Sequence, residues 1–386
     1  DVYKRQLLYR MINIFSASRT ARSIVNSSLL LLLVFSTRDT GAVVVENLYD
    51  VAFPVPDQSS QVRTAVFKKG LEQVLIRASG SRSILQDVDP GPASAYVQQF
   101  RYVEDTEDEK AAAASRSRAS TSTTDWYSLE IQYNAGKIIN LLRENAQPVW
   151  GEHRSEAIAW LAVRDGSNRY VLKQNDASLL KESVEQSAKR RGLPLVWPVY
   201  DSRDRKQLPF ADVWAAFGGP IKQASRRYTK GPAIVGRLSW TGSEWRGDWS
   251  LFVESSAYSW SLSGSDYNTV IAEGIDLSAD RIGKHYAVLD RSGGGDPDLL
   301  VEIRNIDSVQ AYRKVQTFFE DLTAVRQVRL AGLDQGNVLF LVDLRGNIDD
   351  FVRLVSTDKT LQPFVDAVQP GAVPGQQTIL RYSYKN

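Results

Sequence analysis

The sequence predicts an α/β and α+β protein of three modules, a mixed-sheet central domain flanked by ferredoxin-like (βαββαβ-type) domains. Three observations carry this expectation. Apolar runs of strand length alternate with helical apolar periodicity along most of the chain. The glycine stretch Ser292-Gly293-Gly294-Gly295-Asp296-Pro297 sets off a last segment that reads strand–helix–strand–strand–helix–strand. The 43% apolar content of the 386 residues is ample for two or three packed cores.

Residues 1–10 are set aside. Asp1-Val2-Tyr3-Lys4-Arg5-Gln6 resembles a translated transposase end of the kind ligated to DNA fragments for sequencing, and Met11 is read as the start. Residues 11–42 read as a signal peptide. Arg19 and Arg22 supply its positive region, Ile24-Val25 and residues 29–35 its apolar core, and cleavage follows Ser36 or Ala42. That core is shorter than the roughly 20 apolar residues of a membrane span. A buried N-terminal helix is the alternative, but it would have to end in the charged pair Arg38-Asp39.

The sequence holds no cysteine. A lipid anchor on an N-terminal cysteine, disulfides, thiol catalysis and cysteine metal sites are thereby excluded. An exported, periplasmic protein is expected. Of the 47 Lys/Arg and 45 Asp/Glu, six and two fall in residues 1–42, leaving 41 and 43 beyond them. The near-neutral remainder lacks the basic footprint of a nucleic-acid binder.

The first module spans 43–150. Residues 45–55, 96–103 and 126–133 read as strands. Residues 59–78 and 135–145 read as helices, the first with Val62, Val66, Leu71, Val74 and Leu75 near helical spacing. Residues 104–124 run from acidic to alanine to Ser/Thr/Arg-rich, a composition that buries little and predicts a mobile loop.

The central module spans 153–290. The near-continuous apolar run 157–164 predicts a strand buried on both faces. A helix over 177–191 should stop at Gly192. Strands follow at 193–199, 233–240, 245–254 and 257–263, with a short helix at 221–228 and a long one at 267–286. The last module spans 299–386, with strands at 299–304, 325–331, 337–343 and 378–384 and helices at 308–321 and 348–356. Gly136 and Gly346 each sit between a strand and an amphipathic helix, which leaves duplication and convergence on a common turn both open.

No catalytic constellation emerges. His153 and His285 stand far apart and outside any HExxH pattern, so both read as structural. The chain lacks a GxSxG elbow, and Ser263-Gly264-Ser265-Asp266 reads as a turn and helix cap. Glu107/Asp108 and Asp349/Asp350 fall in the loop and at a helix start, solvated positions unsuited to acid–base work. Neither metal nor cofactor is expected. Trp240, Trp245, Trp249 and Trp260 cluster in the central meander. Trp245 and Trp249 share one strand face, and Trp245, Trp249 and Trp260 are the candidate ligand platform; an inner, packed face is the alternative.

Several segments together resemble a proteobacterial secreted family, domain of unknown function two-thousand-and-sixty-six. They are Leu48-Tyr49-Asp50-Val51, Val55-Pro56-Asp57-Gln58, Leu75-Ile76-Arg77-Ala78-Ser79-Gly80 and Tyr96-Val97-Gln98-Gln99-Phe100-Arg101-Tyr102, followed by Pro148-Val149-Trp150-Gly151, Arg190-Arg191-Gly192-Leu193-Pro194-Leu195 and Val235-Gly236-Arg237-Leu238. The resemblance implies export and carries no assigned activity. The central module also resembles the small α/β domain of TolB and of the flagellar T-ring protein FlgT, both parts of envelope assemblies. The expected function is non-enzymatic binding of an envelope protein. The alternatives are a glycan or cell-wall binder using the tryptophans, and a hydrolase with an unrecognised site.

Overall fold

A computed structural model describes residues 42–104, 127–291, 299–358, 360–364 and 379–385. The leader read at 11–42, the loop read at 104–124 and the glycine linker lie, but for residues 42 and 104, outside them.

The chain begins with strand β1 (Ala42–Val44), turns through Asn47 at φ 59°, and continues as β2 (Asp50–Val55). The single strand expected over 45–55 is broken by that turn. Helix α1 (Ser60–Ser79) starts where the Ser59 hydroxyl accepts the Val62 N–H at 3.3 Å. It ends at Gly80, whose φ of 79° suits glycine because a Cβ is strained there. Helix α2 (Ile84–Asp87) and a 3₁₀ turn lead to β3 (Val97–Glu104). Strand β4 (Tyr127–Tyr133) and helix α3 (Ala135–Glu144) follow, the helix capped by the Asn134 side chain. The sheet order is β2-β4-β3, antiparallel throughout. Strands β2 and β3 therefore run parallel with β4 between them, a split βαβ unit. The fourth strand of the expected βαββαβ order is absent among the described residues. Pro148 has no N–H to donate, and the chain there makes one isolated bridge, Val149 to Val288.

Strand β5 (His153–Ser155) pairs with β1, and β6 (Ala157–Asp165) opens the central sheet. Then come β7 (Asn168–Val171), α4 (Leu179–Arg191), β8 (Leu195–Val196), and the short helices α5 (Ser202–Gln207), α6 (Phe210–Ala215) and α7 (Gly218–Ser225). The meander β9 (Ala233–Trp240), β10 (Trp245–Val253) and β11 (Ser256–Gly264) leads into α8 (Tyr267–Tyr286), capped by Asp266. The six strands run β11-β10-β9-β6-β7, with β8 also on β6. Strand β6 is parallel to β8 and β9 and antiparallel to β7, so the sheet is mixed. Its residues alternate between two cores. Ala157, Ala159, Leu161 and Val163 join a cluster with α4 and α8, whereas Ile158, Trp160 and Ala162 join one with α6 and α7. The strand expected over 193–199 shrinks to two residues, because Pro194 and Pro198 bracket it and neither can donate to a ladder.

The last sheet holds β12 (Leu299–Arg304), helix α9 (Val309–Asp321), β13 (Val325–Asp334), β14 (Asn337–Leu344), helix α10 (Ile348–Thr357), β15 (Leu361–Pro363) and β16 (Ile379–Tyr384). Its order is β13-β14-β12-β16-β15. The first four elements repeat the split βαβ topology of the β2-β4-β3 sheet, and even the caps recur. Ser59 and Ser308 cap the first helix of each, Asn134 and Asn347 the second. The ferredoxin-like expectation fails at the end of the chain. Strand β15, too short to show alternation, takes the return from α10, and β16 enters between it and β12, parallel to β12.

The described residues belong to one compact unit. Val149 and Val288 exchange backbone hydrogen bonds at 2.8 and 2.9 Å, and the Asp290 carboxylate accepts from Arg326 and Arg345 at 3.2 and 3.3 Å. Among the described residues no helix is long and apolar enough to cross a membrane.

Candidate functional site

A cleft of about 1360 Å³ opens between the β2-β4-β3 sheet and α4. Strand alternation builds its floor. Leu129, Ile131 and Tyr133 of β4 are buried in the first core, which turns Glu130 and Gln132 to the opposite face. Register places Gln132 between Asp50 and Gln99, and Glu130 between Ala52 and Arg101. The Arg101 Nε meets Glu130 at 2.6 Å, but Arg101 is largely exposed and the pair is screened by water. Helix α4 contributes Glu185, Gln186, Lys189 and Arg190 as the facing wall, and residues 43–48 close one side. Burial raises the Asp50 carboxyl above its ordinary range, opposed by a hydrogen bond from Gln132 and by Arg77. The described lining residues include neither histidine nor a hydroxyl-bearing side chain. What converges there is hydrogen-bonding amides and charges of both signs.

Behind the cleft lies a buried arginine junction. Arg154, fully buried, uses all five of its N–H groups on main-chain carbonyls. They are Gly151 at 2.8 Å, Trp150 at 2.9 Å, Arg77 at 2.7 Å, Arg191 at 3.2 Å and Gly192 at 2.7 Å. Its guanidinium stacks 3.8 Å from the Trp150 ring centroid. The acceptors explain the position. Residues 77, 191 and 192 lie at the C-terminal ends of α1 and α4, where carbonyls lack intrahelical donors and the helix dipole favours a cation. Both helices end in left-handed glycines, Gly80 and Gly192, so both expose such carbonyls to one guanidinium.

Two further arginines complete the junction. Arg77 donates to Arg190 O at 2.9 Å and Asp50 O at 2.7 Å. Arg191 reaches Asp280 Oδ1 at 2.7 Å and Gly80 O at 3.3 Å. Burial pushes Arg154 down to about 9 and Arg77 down to about 10, which leaves both charged at neutral pH. At its rim Arg82 makes a two-pronged pair with Glu273 at 2.9 and 3.1 Å. The C-terminal cap of α1 approaches α8 so closely that a Cβ on Gly283 would stand 2.4 Å from Gly80 O. Leu48, Asp50, Arg77, Trp150, Arg190, Arg191 and Gly192, scattered through four of the segments that carry the resemblance, meet here. Arg154 itself gave no sequence signal, since an arginine in a polar stretch reads as surface.

A family described only as Domain of unknown function (DUF8605) matches residues 42–151. That span supplies the cleft floor, α1 and Trp150, but neither α4 nor Arg154. No curated protein matches the chain. Among solved structures, the N-terminal domain of Protein Y from Thermus thermophilus matches 34% of this chain and 94% of its own, at 10% identity and a TM-score of 0.17. A likeness of that size carries no weight for fold or function.

The tryptophans take the inner-face alternative. Trp249 is fully buried, lodged in a notch made by Gly236, Gly247 and Gly274. Trp245 and Trp260 are half-buried against the same core under α8, and Trp245 meets Tyr267 edge-on at 5.8 Å. Of the candidate platform Trp245, Trp249 and Trp260, Trp249 offers no exposed face and Trp245 and Trp260 only part of one. Alternation put the large rings on one side of β10, and α8 covers that side.

The remaining candidates are dispersed. His153 lies on β5 beside Phe318, whereas His285 lies in the last turn of α8 with its Nε2 3.3 Å from Glu254. Asp350 closes a capping box with Asn347 and pairs with Arg353 at 3.1 Å. Asp266 caps α8, accepting the Thr269 N–H at 3.0 Å. Glu107 and Asp108 lie outside the described residues. Among the described residues no group of three His, Asp or Glu could hold a metal ion.

Proposed function

We propose that this protein is an exported, non-enzymatic component of a bacterial envelope that holds an extended segment of a partner protein in the cleft between the β2-β4-β3 sheet and α4. The observation that carries the reading is the lining of that cleft. Gln99, Gln132 and Gln186 offer donors and acceptors that match a peptide main chain, and Arg101, Glu130 and Lys189 offer both signs of charge to its side chains. A sugar is favoured by a free aromatic face. The one aromatic lining residue, Phe100, already packs edge-on to Phe67 at 5.3 Å and lies under Arg63.

Export is supported by the charge and apolar pattern of residues 11–42 and by the resemblance to the secreted family of unknown function. Envelope assembly is supported by the likeness of the central segment to the α/β domain of TolB and FlgT, which is an analogy of fold. The test is binding of purified chain to an array of peptides tiled from envelope proteins. Binding should fall at least tenfold when Gln132 or Gln186 becomes alanine and persist in a Trp240→Ala control. Binding that ignores both cleft changes would refute the site.

A further inference from the structure

An open strand edge displays unpaired N–H and C=O groups, and proteins blunt such edges with bulges, charges, proline or brevity. Every other edge among the described residues carries such a device. Strand β13 has two register shifts together with Arg326, Arg329 and Asp334. Strands β1, β5 and β15 have three residues each, the last ending in Pro363, and β7 has four and includes Arg169. Strand β2 holds Pro54, and β3 holds one register shift with Arg101 and Glu104.

Strand β11 has none. Its nine residues pair with β10 in unbroken register from Gly264 to Ser256, and none of them is charged or proline. Among the described residues no strand lies on its outer side. Ser259, Ser261 and Ser263 stand on the exposed face, while Trp260 and Leu262 continue the core under α8 to the edge. Tyr258, 38% exposed, lies on the same side as these two, and the buried Trp260 Nε1 has no hydrogen-bond partner among the described residues.

We propose that β11 is the pairing edge of a homodimer, in which a second copy of this chain adds its own β11 antiparallel across a two-fold axis. A charge-free strand meets no like charge when it pairs with itself. An antiparallel copy sets small serines beside serines on one face and apolar side chains beside apolar ones on the other. The contact is isologous and closes at two chains. The opposite end of the same sheet is β7, too short and charged to extend it further.

The absence of cysteine allows single-site labelling of the full chain. Spin labels placed in turn at Ser259→Cys, Ser261→Cys and Ser263→Cys should give intermolecular distances set by each site's offset from the two-fold axis, growing by about 14 Å for each two-residue step away from it, since both copies move by two residues of roughly 3.4 Å. Wild type should sediment as a dimer, and Ser259→Lys with Ser263→Lys should sediment as a monomer with an unchanged circular dichroism spectrum, its thermal midpoint lowered only by the lost association. A monomeric wild type would overturn the proposal. So would an open-ended oligomer, or a dimer whose label distances do not vary along β11. Cleft binding of a peptide is independent of this edge, so either result leaves the test of the cleft intact.

Discussion

Replacing Arg154 with lysine should destabilise the protein by about 2–6 kcal/mol. The guanidinium holds five carbonyl oxygens with five N–H groups, whereas an ammonium has three. Two acceptors are left without a donor in a site closed to water, at roughly 1–3 kcal/mol each. Lysine also loses the flat stacking on Trp150. Set against total stabilities of about 5–15 kcal/mol, this is a large fraction. Arg154→Met should cost more, because every one of the five carbonyls loses its donor, although removal of a buried charge offsets part of the loss. Arg190→Lys serves as control, since Arg190 is nearly half exposed and its pair with Asp276 is worth under about 1 kcal/mol. Urea unfolding followed by circular dichroism reads all three, with midpoints compared at constant slope. An Arg154→Lys midpoint within error of wild type would show that the junction does not tie α1 to α4 as described.

Other consequences follow from particular contacts. A Cβ on Gly274 would stand 2.1 Å from the Trp249 ring, so Gly274→Ala should expel the indole, red-shift tryptophan emission and cost about 1–3 kcal/mol. Unshifted emission would contradict the notch. Hydrogen bonds from Arg227 and from the Asp204 and Arg203 N–H groups hold the Asp201 carboxyl well below its ordinary range. Its stabilising effect is present above the unfolded value near ~4 and is lost as pH falls through the lower folded value. Asp201→Asn keeps the helix cap and should flatten the acid limb of thermal midpoint against pH; an unchanged limb would assign that dependence elsewhere. Asn347→Ala, which opens the capping box of α10, should cost about 1 kcal/mol in the same urea assay.

Much of this architecture was legible where one physical signal dominated. The apolar run 157–164 read as a strand with two covered faces, and the turn and cap at 263–266 marked the start of α8, where Asp266 is the N-cap. Gly192 ended α4 where the sequence placed the stop, in the left-handed geometry that glycine adopts without strain. Local signals failed where spacing was short or tertiary contacts decided. Helices α5 and α6 have six residues each, less than two turns of periodicity, and β7 has four. The proline bracket around β8 was visible but was outweighed by the apolar Leu195, Val196 and Trp197.

The site was less legible than the fold. Alternation assigned Trp245 and Trp249 to one face but could not say which face a helix would cover. The cleft floor consists of the polar half of an alternating strand, which looks like any solvated face until α4 stands opposite. Arg154 was invisible because three of its five acceptors come from two distant segments that only the folded chain brings beside it.

The most direct test of the cleft is photo-crosslinking in cells from a single site in it. A photoreactive residue at Gln132 or Lys189 should trap one dominant envelope protein, and the same residue at Glu320 of α9 should not. Crosslinks equal at all three positions, or none above those of an unrelated exported protein, would contradict a partner segment bound between the β2-β4-β3 sheet and α4.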